Sequence, residues 1–428
     1  MADRRRHLAG RVPGPLVTLG RSLGMPVAEV RSYWSQEARS IRAGTTALAI
    51  GLAATLVAGL VLGSAGDSLE RFPGLLVLIP AAIGVRGAIF GALTARLGTG
   101  MLTGQYTPEI RRETFLGRQL ESAAYLSVAT ALLIALVAWI ASAVLGLPSI
   151  DLLRLTAVSL VGAVVSSVVM ALAAVVLTRQ AERRGWDVDD VGAPMITAAG
   201  DLVGLPALIG ATLLLHIDAL GIGIGILGVL AGVAAAVLGW RHPDPPTRRI
   251  IRESLAVLSI ATVVSVIAGT VLETRAEQLL ALPAVLVLIP PFIANCGSLG
   301  GILSSRLASK LHIGLVEPRK TPGRAAALDF SLTGLLALVG FTGVGIIGWA
   351  GALLAGLTPG PPWTILAIAG LAGLFATVLI LVVAYAAAVT SFRYGLDPDN
   401  HGIPVVTAAM DLLGILCLVG AIALLQVS

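Results

Sequence analysis

The chain has 428 residues, of which 56% are hydrophobic and only 12% are charged. Its formal net charge is +5 at pH 7 and its mean hydropathy is +0.92. Because average globular chains carry about 25% charged residues, this composition excludes a soluble enzyme, a disordered protein and a nucleic-acid-binding module. Both cysteines, Cys296 and Cys417, lie in apolar segments, which excludes a disulfide framework.

The N-terminal segment 1–42 is basic and contains eight arginines. It has no apolar stretch next to those arginines, so it does not resemble a cleaved secretory signal. We expect a cytoplasmic arm that lies on anionic membrane lipid.

Eleven segments then satisfy the requirement of about 20 apolar residues for a helix that crosses a bilayer. Strands are not expected, because membrane barrels alternate apolar and polar residues over segments of about ten. The prediction is an all-α polytopic membrane protein with helices at 43–66, 73–97, 119–145, 152–178, 191–215, 219–239, 253–272, 283–308, 325–352, 363–389 and 402–426.

Basic residues mark alternate connections between these segments. If the N-terminus is cytoplasmic, every inner connection carries Arg or Lys, whereas the outer ones hold little beyond Arg71 and Arg275. By the positive-inside rule, the chain is expected in the cell membrane with its N-terminus inside and Ser428 outside.

The chain contains an internal repeat at an offset of 210 residues. Residues 73–98 and 283–308 share twelve of 26 positions, and residues 187–204 and 397–414 share ten of 18. Matched Pro, Asp and Arg at one gapless offset are not explained by a common apolar bias. The sequence therefore predicts two fused copies of one unit.

Each copy has five predicted helices, and the additional apolar segment gives the second copy the same orientation as the first. The two copies are then related by a pseudo-two-fold axis along the membrane normal, so that a monomer acts as a pseudo-dimer. The expected organisation is a basic arm (1–42), a first repeat (43–218), a linking transmembrane helix (219–240) and a second repeat (241–428).

Two aspartates recur at equivalent positions inside the fifth helix of each repeat. A charged Asp at the bilayer centre costs about 2.5–3.5 kcal/mol on insertion scales. Because Asp201 and Asp411 carry this cost twice at one offset, we interpret them as metal-facing carboxylates on a shared aqueous path. The alternative is a protonated Asp that forms a hydrogen bond between helices.

The second helix of each repeat carries prolines and glycines at intramembrane positions. Proline frees the carbonyl four residues earlier, and broken helices with free carbonyls can line a cavity. The alternative is a simple kink with glycines for close packing. Together with the fifth helices, this pattern predicts pore-lining residues Pro80, Gly87, Thr197, Pro290, Gly297 and Thr407.

Acidic clusters precede the fifth helices at Asp187 and Asp189 and at Asp397 and Asp399. Acidic residues stabilise the N-terminal ends of helices through the helix dipole. An additional role at the inner mouth, where they would gather or release cations, remains open.

These motifs resemble the membrane domain that the MgtE magnesium channels share with the solute carrier 41 magnesium transporters. The resemblance covers nearly everything from about residue 43 onward and rests on the Pro-rich second helix and on the fifth-helix pattern of Asp187–Gly204 and Asp397–Gly414. The tandem arrangement is similar to solute carrier 41. The resemblance implies that Asp201 and Asp411 face magnesium in a pore between the second and fifth helices, and Arg86 resembles a basic residue of the family.

The chain departs from the family pattern at two places. Ala88 and Ser298 replace the Asn of a Gly-Asn pair, which bears on ion selectivity. The 42-residue arm is too short to hold the regulatory and CBS domains of MgtE, so gating through them is not expected.

Three functions remain as hypotheses. The first is a transporter or channel for a divalent cation, with Mg²⁺ as substrate ion, since Mg²⁺ prefers oxygen ligands and sheds water reluctantly. The second is a Na⁺- or H⁺-coupled exchanger that uses the same aspartates. The third is an intramembrane aspartyl protease; it is disfavoured because neither Asp follows the Gly-x-Gly expected of such enzymes.

Overall fold

The computed structural model describes residues 27–107, 109–184, 188–312, 314–394 and 403–425. Those residues form helices and connections, without strands. The α-helices are α1 (Val27–Gln36), α2 (Ala38–Gly63), α3 (Gly66–Arg71), α4 (Leu75–Leu102), α5 (Phe115–Leu145), α6 (Leu152–Arg184), α7 (Val188–Ala211), α8 (Asp218–Trp240), α9 (Pro245–Glu273), α10 (Ala276–Ala281), α11 (Pro283–His312), α12 (Arg324–Leu354), α13 (Pro362–Arg393) and α14 (Ile403–Leu424).

Eleven helices in the described residues are long and apolar enough to cross a membrane. They are all the helices above except α1, α3 and α10. This confirms the predicted all-α polytopic membrane fold. The 210-residue offset also relates the short helices, since α3 and α10 begin at Gly66 and Ala276.

The prolines do not break the second helices. Pro80 lies inside α4, and Pro290 and Pro291 lie inside α11, and both helices continue through them. The expectation of broken helices is therefore wrong. Each proline lacks the N–H that would bond to the carbonyl four residues earlier, yet α4 and α11 are packed against several other helices and remain continuous.

The first helix of each repeat packs on the other repeat. Helix α2 packs against α11 and α12, and α9 packs against α4 and α5. Each first helix also packs on the fifth helix of its own repeat, α2 on α7 and α9 on α14. The two repeats are thus joined by an exchange of their first helices.

Glycine makes this exchange possible. A Cβ added at Gly59 of α2 would overlap the carbonyl oxygen of Val287 in α11, and a Cβ at Gly269 of α9 would overlap that of Val77 in α4. These two contacts are equivalent under the offset. Small residues at helix interfaces in membranes allow backbones to approach closely, which increases van der Waals contact.

A buried carboxylate reinforces the contact between α9 and α4. Glu273, the last residue of α9, accepts a hydrogen bond of 3.0 Å from the backbone N–H of Gly74, directly before α4. An acidic group at a helix N-terminus is stabilised by the unpaired N–H groups and by the helix dipole.

Helix α8 packs on α5 and α6 of the first repeat. Gly225 fits against the Leu153 backbone, and Gly228 fits against the Thr156 side chain. Its opposite face exposes large apolar residues, including Leu227 and Leu230. These positions suit a helix with one side on the bundle and one side on lipid.

One end of the bundle carries the basic connections at 103–114, 241–244 and 314–323, together with α1. We call it the basic end. There α1 is held by an ionic cluster composed of Tyr33, Glu37, Arg306, Lys310 and Asp329. The carboxylate of Asp329 is fully buried and accepts bonds from Arg306 (3.0 Å), Lys310 (2.7 Å) and the Tyr33 hydroxyl (2.7 Å).

Tyr33 of α1 and Glu37, which follows α1, have shifted pKa values. Burial and the hydrogen bond to Asp329 raise the pKa of Tyr33, so its phenol stays protonated and can donate. Burial alone would raise the pKa of Glu37, but the hydrogen bond from Ser40 and the positive charge of Arg306 outweigh it and lower the pKa. Glu37 is therefore ionised and complements the two cations of the cluster.

The first repeat contains a smaller counterpart of this cluster, in which an amide replaces the carboxylate. Arg96 Nε donates to Gln119 Oε1 at 2.7 Å, and these residues correspond to Arg306 and Asp329. Gly100 stands at the position of Lys310. The amide is sufficient for one cation, whereas the second repeat places two cations beside a carboxyl group.

The helix exchange predicts that Gly59→Ala and Gly269→Ala each destabilise the bundle. The new Cβ would force two backbones apart, and overpacking costs about 1–3 kcal/mol. Apparent melting temperature in detergent measures the effect. Gly51→Ala in α2 is the matched control, since a Cβ there meets no described atom within 4 Å. Equal melting temperatures for Gly59→Ala and Gly51→Ala would contradict this role.

The ionic cluster predicts that Asp329→Asn destabilises the protein, because two half-buried cations lose their main carboxylate. Breaking a buried pair in this way costs at most about 3–5 kcal/mol. The double variant Asp329→Asn/Lys310→Met leaves one cation beside an amide, as in the first repeat. It should recover part of the lost melting temperature. If the double variant is less stable than Asp329→Asn alone, the charge argument fails.

Candidate ion site

Asp201 and Asp411 lie in the fifth helices, α7 and α14, within membrane-spanning segments. Their side chains are buried, with exposed fractions of 6% and 5%. An electrostatic interaction links the two carboxyl groups. The two aspartates, which lie 210 residues apart in the sequence, are thus within electrostatic range of each other in the structure.

Asp411 lies between elements of both repeats. Its Oδ2 accepts a hydrogen bond of 3.0 Å from the Ser265 hydroxyl of α9. On the other side it packs on α4, where a Cβ added at Gly84 would lie 2.8 Å from the same oxygen. The absent side chain at Gly84 makes room for the carboxylate of the opposite repeat.

Asp201 has different surroundings. Its Oδ2 is buried and has no hydrogen-bond partner in the described part of the chain. The residue that corresponds to Ser265 is Thr55 of α2, whose hydroxyl donates to the Gly51 carbonyl at 2.9 Å. A buried carboxylate oxygen without a partner is costly, so this site requires a cation, a proton or water.

A partly exposed stripe runs along each second helix. On α4 it comprises Ile83, Gly84, Gly87, Ala88, Gly91, Ala92 and Ala95, and on α11 it comprises Ile293, Ala294, Gly297, Ser298, Gly301, Ile302 and Ser305. The two stripes occupy equivalent positions at the 210-residue offset. Along each helix, the residues that separate the stripe positions are buried. Each extends from mid-helix toward the basic end.

The stripes lead to the fifth helix of the second repeat. Gly84 contacts Asp411, and a Cβ at Gly297 would lie 3.4 Å from the Thr407 side chain, one turn before Asp411. Helix α14 is therefore flanked by residues of both stripes. Small residues along the stripes leave room, and a Cβ at Gly87 would meet no described atom within 4 Å.

The predicted prolines lie beyond the exposed part of the stripes. Pro80 precedes Gly84 by one helical turn, and both Pro80 and Pro290 are buried. Access along α4 thus ends one turn after Pro80. Thr197 belongs to α7, but its side chain lies outside the described residues.

The predicted inner-mouth residues are also outside what the structure describes. Asp187, Asp397 and Asp399 are not described, and for Asp189 only the helical backbone is. Among the described residues, no group of three or more His, Cys, Asp or Glu side chains is placed to hold a metal ion. Two carboxylates alone suit an ion that keeps much of its water.

Arg86 of α4 is buried beside α6. Its guanidinium donates to the Ala82 carbonyl at 2.8 Å and to the Ser159 carbonyl at 3.5 Å, and it has no ion pair in the described part of the chain. The corresponding residue of the second repeat is Cys296, which is buried near Gly414. Arg86 therefore adds one positive charge to the first repeat alone.

Ser265 and Gly84 are site residues that the sequence analysis missed. The signal for Ser265 is a hydroxyl residue that recurs as Thr55 at the 210-residue offset. Gly84 recurs only as another small residue, Ala294. Neither pattern identifies a contact with Asp411, because Ser265 lies 146 residues away on another helix of the same repeat and Gly84 lies in the other repeat.

The sequence profile of the MgtE family, described as a divalent cation transporter, matches residues 79–211 and 289–421. The two matched ranges are related by the same 210-residue offset and cover more than half of the chain. The chain belongs to the MgtE family of divalent cation transporters. The predicted family resemblance is thereby confirmed.

Curated relatives of this family member carry solute carrier names. Solute carrier family 41 member 3 of Rattus norvegicus is 25% identical over 390 residues, which cover 84% of this chain and 83% of the relative. Solute carrier family 41 member 2 of Xenopus laevis is 25% identical over 389 residues, which cover 84% and 67%. No solved structure matches the chain.

The site predicts that Ser265→Ala weakens the transport affinity for a divalent cation. The hydroxyl orients the Asp411 carboxylate, and loss of a group that orients a metal ligand costs about 10–100-fold in affinity. The apparent KM for cation uptake into proteoliposomes measures this change. Ser259→Ala is the control on the same helix, since its hydroxyl bonds to the Leu255 carbonyl. An unchanged KM for Ser265→Ala would contradict the orienting role.

Proposed function

We propose that this MgtE-family protein carries Mg²⁺ across the cell membrane, along a path between its two repeats, with Asp201 and Asp411 as the carboxylates that face the ion. The observation that carries the proposal is the buried pair of carboxyl groups, one of which has an oxygen without a described partner. Two such groups in an apolar bundle repel each other when ionised, and a divalent cation removes that repulsion.

The geometry suits a partly hydrated ion. Mg²⁺ prefers six oxygen ligands at about 2.0–2.1 Å, dehydrates reluctantly and is often bound through one or two carboxylates and several waters. Asp201 and Asp411 supply the negative charge, while the small stripe residues leave room for water beside them. The Ser265 hydroxyl keeps the Asp411 carboxylate aimed at the space beside Gly84.

The stripes support a path that opens toward one side. Partial exposure runs from the basic end to Gly84 and Ile83 on α4, whereas Pro80 is buried. By the positive-inside rule the basic end is cytoplasmic. We infer an inward-open arrangement in which the ion site communicates with the cytoplasm and the proline turns separate it from the outside.

The pseudo-dimer makes one chain sufficient for the path. Helices α4 and α9 contribute Gly84 and Ser265 around the Asp411 of α14, so both repeats contribute to one site. We therefore propose a functional monomer. Coupling to Na⁺ or H⁺ would use the same aspartates and is distinguished by the gradient measurement below.

The proposal predicts that Asp201→Asn/Asp411→Asn reduces Mg²⁺ uptake into proteoliposomes to background, because the amides keep the shape but remove both negative charges. Each single variant should retain less uptake than the wild type. Asp218→Asn is the matched control, since that exposed residue pairs with Arg154 at the start of α8. Undiminished uptake in the double variant refutes the assignment of the site.

The same vesicles test the coupling mode. Uptake that persists without Na⁺ and H⁺ gradients identifies a passive path, and uptake that requires one gradient identifies an exchanger. Mg²⁺ at 100 times its Kd should also stabilise the wild type by about 2.7 kcal/mol. That stabilisation should be absent in the double variant.

A further inference from the structure

A cavity of about 530 Å³ opens at the basic end of the second repeat, away from the ion site. It lies between α12, α13 and the connection 314–323 that joins α11 to α12. Its volume falls within the range of about 300–1,000 Å³ that small-molecule sites occupy. Neither aspartate of the ion site lines it.

The cavity is apolar on one side and basic on the other. Helix α13 contributes Val378, Leu381 and Val382, and α12 contributes Phe330. Val378 and Val382 are 56% and 60% exposed, which places this side of the cavity on the lipid-facing surface of the bundle. The apolar half is therefore continuous with the hydrocarbon of the bilayer.

The basic half is formed by Arg319, Lys320 and Arg393. Arg393 donates to the Pro318 carbonyl through Nε (3.0 Å) and Nη2 (2.6 Å), and Arg319 pairs with the exposed Glu317. Lys320 is exposed and forms no ion pair with any described residue. Three cations against one carboxylate leave the mouth of the cavity positive.

The backbone of the connection is held over the cavity by a tyrosine. The hydroxyl of Tyr385 on α13 lies 3.0 Å from the Arg319 carbonyl and 3.1 Å from the Thr321 carbonyl, and it donates toward both. These bonds hold the backbone of the connection against α13, so that Arg319 and Lys320 project from a fixed segment at the cavity mouth.

The first repeat does not reproduce this arrangement. At the equivalent positions Glu109 replaces Arg319, Ile110 replaces Lys320 and Val175 replaces Tyr385, and only Arg183 corresponds to Arg393. Helix α8 also packs across α5 and α6 of the first repeat, which correspond to α12 and α13. The cavity therefore does not follow the pseudo-two-fold symmetry of the ion path.

We propose that this cavity binds one anionic phospholipid of the cytoplasmic leaflet, with its phosphate between Lys320 and Arg319 and its acyl chains along the apolar side of α13. Basic pockets between transmembrane helices at the cytoplasmic side bind anionic headgroups. A lipid contacts both halves of the cavity through its phosphate and its acyl chains, whereas a soluble phosphate would contact only the basic half. The site is separate from the proposed Mg²⁺ path.

Native mass spectrometry of the full chain in detergent, titrated with palmitoyl-oleoyl phosphatidylglycerol or phosphatidylcholine, tests the proposal. The wild type should bind one phosphatidylglycerol more tightly than phosphatidylcholine. Because each cation near an anionic headgroup contributes a few-fold in affinity, Arg319→Ala/Lys320→Ala should weaken that binding about 30-fold. Both side chains are exposed, so the variant should fold.

Two further variants separate the cavity from general surface attraction. Ala386→Trp fills the cavity without changing its charge and should also remove the bound phosphatidylglycerol. Arg183→Ala, the matched control in the first repeat, should bind it as the wild type does. Equal loss in Arg183→Ala, or full binding in Ala386→Trp, overturns the proposal.

A soluble competitor distinguishes a lipid site from a phosphate site. Millimolar glycerol 3-phosphate carries the same phosphate ester without acyl chains. It should leave the bound phosphatidylglycerol in place if the acyl chains contribute as proposed. Displacement by glycerol 3-phosphate identifies a site for a soluble phosphate ester and overturns the lipid assignment.

Discussion

The close contact between Gly269 and the Val77 backbone is the constraint on which the ion site depends. Ser265 lies one helical turn before Gly269 on α9, and Gly84 lies two turns after Val77 on α4. When the two backbones touch at Gly269, the Ser265 hydroxyl is brought beside Gly84, 3.8 Å from where a Cβ would lie. The carboxylate of Asp411 occupies the space between them. A backbone contact in an apolar layer therefore positions a polar site one to two turns away.

The equivalent contact in the other half leads to a different result. Gly59 approaches Val287 as Gly269 approaches Val77, but Thr55 replaces Ser265. A threonine in a helix readily donates to the carbonyl four residues earlier, and Thr55 does so. Asp201 consequently lacks the hydrogen bond that Asp411 has. Asp201 and Asp411 occupy equivalent positions of the repeat but have different surroundings. The Ser265 hydroxyl orients the Asp411 carboxylate, whereas Asp201 has a buried oxygen that a cation can bind.

Much of the fold followed from the sequence because its signals are local. Long apolar segments predicted the eleven spanning helices, and the matched prolines and aspartates predicted the repeat. The exchange of α2 and α9 between the repeats could not be predicted. A glycine such as Gly59 is compatible with packing on either repeat. Its partner, the Val287 carbonyl of the second repeat, is known only from the structure. Ser265 likewise gave no sign of its contact with Asp411, because that contact joins the first and fifth helices of the second repeat across 146 residues.

The broken-helix expectation failed because a proline can remove one hydrogen bond without ending a helix that is packed on several neighbours. Proline destabilises a helix by removing a hydrogen bond and by clashing with the preceding turn. Helices α4 and α11 continue through Pro80 and Pro290, and each packs against several other helices. The proposed ion path would then not rely on free backbone carbonyls, and its polar groups would be those of Asp201, Asp411 and Ser265.

The two repeats are nearly symmetric in the membrane and asymmetric at the basic end. In the interior, a departure from symmetry leaves a group such as the Asp201 oxygen without a partner, which is costly in an apolar layer. At the basic end, the exposed connections are solvated by water and lipid headgroups, so the two repeats can carry different charged residues there. The second repeat has Asp329 with Lys310, and the first repeat has Gln119 with Gly100 at the same positions. Either combination provides a hydrogen-bond acceptor for the arginine of its repeat. Specialised contacts, such as the docking of α1 and the basic cavity at Lys320, can therefore arise in one repeat without disturbing the shared path between them.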